Sequence, residues 1–471
     1  MNTDVKTRRV IFLIITVILS YLFFTTPSTL APSAFNIGGQ SYYALLSEGF
    51  LSGQLSLPIL PSEHLLALPD PYDPIENYGL TLHDASLYHN KYYLYFGPLP
   101  ALAFFIPFKL LTRYYPSEAL SVVFFLSLGF IINFILLIQI KKRYFPELPE
   151  AQVLFAGLLL AYATTAPFLL TRGLFYELAI ASAYCATSFA LFFLYKAVTN
   201  NFSKVQDVVF FSLFLALSVS GRANFSLICI ILIPAILIYM IKNAPPKKLR
   251  VLIVSILLPA IIIAIGLAIY NYLRFNSIFE FGEKYALSGV EVSKMPPMFD
   301  TNFAMIRHAI YYYFFQTFTF GHGYRHFPNL PHIYIKPNLL PPQQPYYYEP
   351  VAGYFMLTPI AIFIFALPAM IKSYLKNGIL KNNLLPIFLI FTSLVPTIIM
   401  LFYFLLGWSS NQRYEMDFSP YLTLLSIVSY WLLQKSELKH WVLNTSKIIF
   451  IILAALSILI GLDIGITGYG I

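Results

Sequence analysis

Long apolar runs separated by short polar breaks dominate the chain, and the length of those runs decides its class before any residue chemistry does. A helix rises about 1.5 Å per residue, so about 20 apolar residues cross a hydrocarbon layer of about 30 Å. Stretches of this kind fall at about 10–30, 118–140, 152–170, 177–196, 204–220, 223–242, 249–271, 351–373, 384–406, 417–434 and 444–463. The pattern predicts about eleven transmembrane helices. Lipid offers no partner to a free backbone N–H or C=O, so the expected class is an all-α integral membrane protein.

Two intervals break the rhythm. Residues 31–117 and 272–350 are long and polar, whereas 141–150, 197–203, 243–248, 374–383 and 435–443 are short. Residues 1–471 therefore read as a single polytopic membrane domain with two large loops. Segment 101–112 is apolar but too short to span, bracketed by Pro98, Pro100 and Pro107 and closed by Lys109 and Arg113. It is expected to lie on the membrane surface as an interfacial helix.

Charge turns this pattern into a topology. The short connections and adjoining helix ends carry Lys6, Arg8, Arg9, Lys141, Lys142, Arg143, Lys196, Lys204, Lys242, Lys247, Lys248, Arg250, Lys372, Lys376, Lys381, Lys435, Lys439 and Lys447, 18 of the 30 basic residues. Only five of the 21 acids share that side. The positive-inside rule then puts the N-terminus and short loops in the cytoplasm and both long loops outside, in a multi-pass protein of the inner (plasma) membrane. The basic cluster ahead of the first helix also fits a signal peptide with Ala31 and Ala34 near a cleavage point, but the run is long and ten spans follow, so an uncleaved anchor is expected. The net charge of +9 sits between apolar segments rather than on a soluble basic face, which speaks against a nucleic-acid partner. Cys185 and Cys229 lie inside apolar runs and make no disulfide framework or CxxC motif.

Candidate chemistry gathers on the predicted outer side, with seven of the eight histidines and 16 of the acids. Much of that is what any solvated loop holds, and Glu63, Asp70 and Asp73 are read so. Asp84 stands out, because His83 adjoins it and Gly97-Pro98 ends its segment beside the interfacial helix. A carboxylate there could take a proton from an acceptor hydroxyl, or hold a divalent cation that neutralises a phosphate leaving group. Tyr88, Tyr92, Tyr93 and Tyr95 fit an aromatic belt at headgroup level, or stacking platforms for a sugar or isoprenoid.

Ionised groups at or inside helix ends cost about 2.5–3.5 kcal/mol on insertion scales and usually face a cavity or a partner. Arg172 and Glu177 bracket one hairpin, Arg222 lies in a second, and Arg413 and Asp417 frame a third. Arg413 and Asp417 stand at i and i+4 and could pair locally. The alternative is that Arg172, Arg222 and Arg413 converge on one anion, for which a guanidinium fork suits a phosphate. His322, His326 and His332 match no zinc spacing. No phosphate-cradling glycine loop occurs, so activated groups would come from lipid-linked or extracytoplasmic sources.

Three stretches carry a resemblance: HDASLYHNKYYLYFGPLPALAFFIPF (83–108), LRFNSIFEFGEKYALSG (273–289) and RYEMDFSPYLTLL (413–425). They look similar to bacterial membrane proteins related to the protein O-mannosyltransferase branch of the GT-C superfamily. The resemblance implies transfer of a sugar from a polyprenyl-phosphate donor to an extracytoplasmic glycan, lipid or protein acceptor, with membrane lipid as a further partner. Family members carry an acid soon after the first helix, where this chain has Gly38-Gly39-Gln40, and a His-Pro-Pro-Leu surface element whose histidine is absent at 96–100. Asp84 or Glu48 would then be the catalytic carboxylate, with His83, Tyr92, Tyr93, Arg172, Glu177, Arg222, Arg413 and Asp417 binding substrate. A transporter or flippase of a lipid-linked or anionic solute, and a non-catalytic assembly protein, are the competing readings. Mid-helix ionisable residues are scarce and the two halves do not match, which disfavours the transporter.

Overall fold

The computed structural model describes residues 3–25, 41–294, 302–324, 327–334, 347–348, 351–376, 384–406 and 409–467. Within them the chain is an all-α multi-pass membrane protein, with strands confined to three two-stranded sheets. Every predicted apolar stretch contains helix, but not every one is a full-length span. Among the described residues seven helices are long and apolar enough to cross a membrane: Lys6–Phe24, Glu118–Tyr144, Phe175–Thr199, Ala223–Asn243, Pro246–Phe275, Leu385–Leu406 and His440–Thr467. An eighth crossing is a bent pair, Glu150–Tyr162 and Ala166–Arg172, meeting at 43°. Pro167 explains the break, since its ring lacks an N–H and would clash with the carbonyl four residues earlier.

Of the other predicted stretches, Val205–Val219 has 15 residues and Ser419–Gln434 has 16, each reaching about 23 Å and so shorter than those spans. The 351–373 stretch is interrupted: a turn of helix at Tyr354–Leu357, a break at Thr358, a 3-10 stretch over Pro359–Ala366 and an α-helix over Leu367–Lys376. Hydropathy records how apolar a stretch is, and prolines decide how much of it stays one helix.

The Phe175–Thr199 helix is the centre of the bundle. Its apolar window is 83% buried, against 17% for Lys6–Phe24 and for Pro246–Phe275, which form the periphery. Ala179, Ala181, Ser182, Ala183 and Ala186 keep its surface small, and small residues let membrane helices approach closely. Its Tyr184 ring leaves room at Gly129 for nothing larger, and Asn133 Nδ2 donates to Tyr184 Oη at 3.2 Å and to Ser188 Oγ at 3.0 Å.

The two ends of the bundle differ. At the short-loop end, acids meet bases across helices: Lys6–Glu150 at 2.5 Å, Lys196–Asp207 at 3.2 Å and Lys435–Glu147 at 3.6 Å. At the other end the long loops pack on the helix tips. The first contributes a mostly buried helix, Tyr42–Leu51, and a hairpin of Ser86–Tyr88 with Lys91–Tyr93. His89 and Asn90 both hold positive φ, 48° and 58°, as a two-residue type I′ turn requires. The interfacial segment opens as a π-turn over Ala101–Phe105 and continues as Ile106–Thr112. It leaves Leu110 and Leu111 64% and 85% exposed, as suits a helix lying against lipid.

The second loop docks on the first. Asp84 N–H donates to Leu287 O at 2.8 Å, Leu287 N–H returns to Ala85 O at 3.0 Å, and Ser86 Oγ donates to Gly282 O at 2.8 Å. Gly282 is needed there: its φ is +107°, and a Cβ would meet the Phe275 ring at 2.5 Å. Buried Arg274 ties the end of its helix to the hairpin's exit by donating to Leu94 O at 2.7 Å.

Candidate functional site

Where the loops meet the helix tips the protein forms an open-mouthed cavity of about 420 Å³. Arg222, Asn224, Tyr403, Arg413, Tyr414, Tyr95, Tyr176 and Glu283 supply its polar lining. Leu227, Phe279, Phe281, Phe402 and Leu406 make the remainder apolar. The lining is amphipathic, able to hold an anionic head on the arginines and a hydrocarbon on the apolar side chains.

A close backbone approach builds its floor. A Cβ on Gly97 would stand 2.0 Å from Ser220 O, and Leu99 N–H donates to the same oxygen at 3.0 Å. The first loop thus touches the turn that presents Arg222. Gly97→Ala should force these segments apart and cost about 1–3 kcal/mol, the usual penalty of overpacking. Thermal unfolding in detergent checks it, the expected result being a clearly lower melting temperature.

Arg222 is set by a buried ion pair. Its Nη2 lies 3.0 Å from Asp417 Oδ2 and donates to Tyr403 Oη at 2.8 Å. Tyr403 Oη donates to the same carboxylate oxygen, and Asn224 Nδ2 approaches it at 3.3 Å. The local i, i+4 pairing open to Arg413 and Asp417 is thereby replaced by a pairing between distant segments. Arg413 instead stacks over the Tyr176 ring at 4.4 Å, with Nη1 3.9 Å from Glu177 Oε1. Arg172 Nε reaches that same oxygen at 3.2 Å. Glu177 is fully buried in the first turn of its helix, where it accepts Leu174 N–H at 3.2 Å and the helix dipole favours an anion.

Asp84 stands just behind the cavity wall. Tyr176, which lines the cavity, donates its hydroxyl to Asp84 Oδ2. His83 Nε2 is 3.7 Å from that oxygen; the carboxylate side chain is 14% exposed and the imidazole 70%. The Asp84 backbone holds φ at 57°, a left-handed conformation that Asp and Asn tolerate better than most residues. Tyr95 lies between the loops. Burial first, then the Asp84 and Glu283 carboxylates, push its hydroxyl well above the ordinary tyrosine value, so it remains a proton donor.

Of the sequence candidates, then, Arg222 and Arg413 line one cavity, and Asp84, Glu177 and Asp417 each bond or approach a lining residue. Arg172 stands behind Glu177. Glu48 lies elsewhere, accepting the Tyr115 hydroxyl at 2.6 Å. His83 faces outward. Tyr92 and Tyr93, expected as substrate platforms, are buried at 2% and 7% exposure in the hairpin's packing, with Tyr93 against Phe275. As consecutive strand residues the two point to opposite faces, so packing covers the hairpin on both sides and leaves neither ring free for a ligand. Tyr95, read from the sequence as a belt residue or a stacking platform, lines the cavity, whereas Tyr176, Asn224 and Glu283 were missed. Tyr176 directly precedes Glu177, and Glu283 falls within the quoted 273–289 stretch, but neither has a spacing that marks it. Gly38, Gly39, Gln40 and His326 lie outside the described residues. Among the described residues no three His, Cys, Asp or Glu side chains gather as a metal site.

No family model matches the chain, and no curated protein does. Solved structures match over nearly its whole length. The oligosaccharyltransferase of Archaeoglobus fulgidus tethered with an acceptor peptide is 11% identical, with a TM-score of 0.52 over 98% of this chain and 55% of that one. The same organism's AglB, in complex with an inhibitory peptide and a dolichol-phosphate, is 10% identical, with a TM-score of 0.50 over 98% and 56%. ArnT from Cupriavidus metallidurans in the apo state is 13% identical, with a TM-score of 0.44 over 98% and 76%. The chain spans about half the length of the archaeal oligosaccharyltransferases it matches. Identities this low speak to fold alone, and the fold is the one these archaeal oligosaccharyltransferases share over about half their length.

Proposed function

We propose that this chain is a glycosyltransferase that moves a sugar from a polyprenyl-phosphate donor to a hydroxyl of an extracytoplasmic glycan, lipid or protein. The observation that carries the reading is the amphipathic cavity, lined by Arg222 and Arg413 together with Leu227, Phe402 and Leu406. A solved relative in fold holds a dolichol-phosphate, a ligand of that same amphipathic kind.

In this reading the two guanidiniums hold the donor phosphate and take up the charge that develops on it as the glycosidic bond breaks. The acceptor oxygen attacks the anomeric carbon and the electron pair of the broken bond leaves with the polyprenyl phosphate. The acceptor proton passes to Asp84 through the Tyr176 hydroxyl, which lines the cavity and is already bonded to that carboxylate. The outward placement of this site and a cytoplasmic N-terminus belong to the same proposal, supported by the charge bias of the short loops.

In this reading Arg222 and Arg413 supply the positive charge at the phosphate, in place of the divalent cation that the sequence left open. The test is the purified chain in proteoliposomes with labelled polyprenyl-phosphate hexoses, scored for sugar released to water or to acceptor. Release is expected and should persist in EDTA. Movement of the lipid between leaflets with no release from any donor would overturn the reading in favour of a transporter.

A further inference from the structure

A second, much smaller cavity of about 10 Å³ lies inside the protein, with room for a single water-sized guest. Two interrupted helices meet at it. Tyr162, Thr164 and Thr165 belong to the break in the bent span, and Thr358 is the break between Tyr354–Leu357 and Pro359–Ala366. The last turns of such helices present carbonyls that no residue of their own helix can satisfy.

Glu415 also lines it. The residue is 1% exposed, and its Oε1 is buried without a hydrogen-bond partner. Its Oε2 accepts Gln412 Nε2 at 2.7 Å, and Gln412 Oε1 in turn accepts Ala352 N–H at 2.8 Å. None of the lining residues is basic. A buried carboxylate oxygen with no cationic side chain carries a large desolvation cost unless a counter-charge joins it. The lining supplies what a hard cation takes: one carboxylate oxygen, threonine hydroxyls, and carbonyls at helix breaks, the donor set by which interrupted membrane helices hold sodium.

We propose that this cavity is an alkali-cation site, in which one sodium-sized ion sits on Glu415 Oε1 and is completed by hydroxyl and carbonyl oxygens of the two interrupted helices. The ion would fasten the bent span and the Thr358 break to the 3-10 turn Gln412–Asp417, which carries Arg413 and Asp417. This site is separate from the larger cavity and does not rest on the proposed transfer reaction.

The test uses the full chain in detergent, melted in sodium chloride, potassium chloride or N-methylglucamine chloride at equal ionic strength. Sodium is expected to raise the melting temperature by several degrees over N-methylglucamine, and Glu415→Gln to abolish that difference. Identical melting of the wild type in all three salts overturns the proposal and leaves the cavity to a water beside a protonated carboxyl. Should Glu415→Gln fail to fold, radioactive sodium binding to the wild type and to Thr358→Val decides the matter. Saturable binding, weakened in Thr358→Val, supports the site, and absent or unweakened binding overturns it.

Discussion

Asp84→Asn is expected to lower sugar transfer about a thousandfold while leaving the protein folded, since general-base catalysis contributes about 10²–10⁴. The substitution is chosen for what it preserves. Asn keeps an oxygen that accepts the Tyr176 hydroxyl, and it tolerates the left-handed backbone at φ 57° nearly as well as Asp. The N–H to Leu287 O is untouched, so the junction between the two loops stays closed. Only the negative charge is lost, and with it the capacity to take the acceptor's proton. Tyr176→Phe makes the companion variant, keeping the ring under Arg413 while removing the hydroxyl that links cavity and carboxylate. Both should bind the donor lipid as the wild type does and fail at turnover. Wild-type rates in Asp84→Asn, with an unchanged melting temperature, would remove Asp84 from the chemistry.

The architecture was legible in the chain wherever lipid leaves the backbone no choice. Apolar runs must be helical, and all eleven contain helix. Their lengths were less legible, because Pro167, Pro359 and Pro420 divide or shorten helices in stretches whose hydropathy runs on. The site was legible by residue type and illegible by partnership. Arg222, Arg413 and Asp417 were chosen because charge at a helix end needs an explanation, and all three belong to the cavity or its support. Which of them pair was hidden, since Asp417 meets Arg222, a residue 195 positions earlier in the chain. The four-residue spacing to Arg413 pointed to the wrong partner. Tyr92 and Tyr93 misled for a related reason: a tyrosine run does not reveal that His89-Asn90 folds it into a hairpin, which buries two rings and sends Tyr95 onward to the cavity.

The Arg222–Asp417 pair allows stability and function to be separated. Arg222→Met alone should destabilise the protein by about 3–5 kcal/mol, the cost of leaving a buried carboxylate without its counter-ion. Asp417 is 1% exposed and its Oδ1 already lacks a partner, so the remaining bonds from Tyr403 and Asn224 cannot replace the guanidinium charge. Adding Asp417→Asn removes that stranded charge while leaving an oxygen for Tyr403 and Asn224, and most of the lost stability should return. Transfer should not. If Arg222 holds the donor phosphate, the double variant is a folded protein whose cavity wall has lost one of its two cations, and its affinity for a polyprenyl phosphate falls at least tenfold. Melting temperature and lipid binding measured on the same three proteins check both parts. Recovery of transfer together with stability would make Arg222 a structural counter-ion and leave Arg413 as the phosphate ligand.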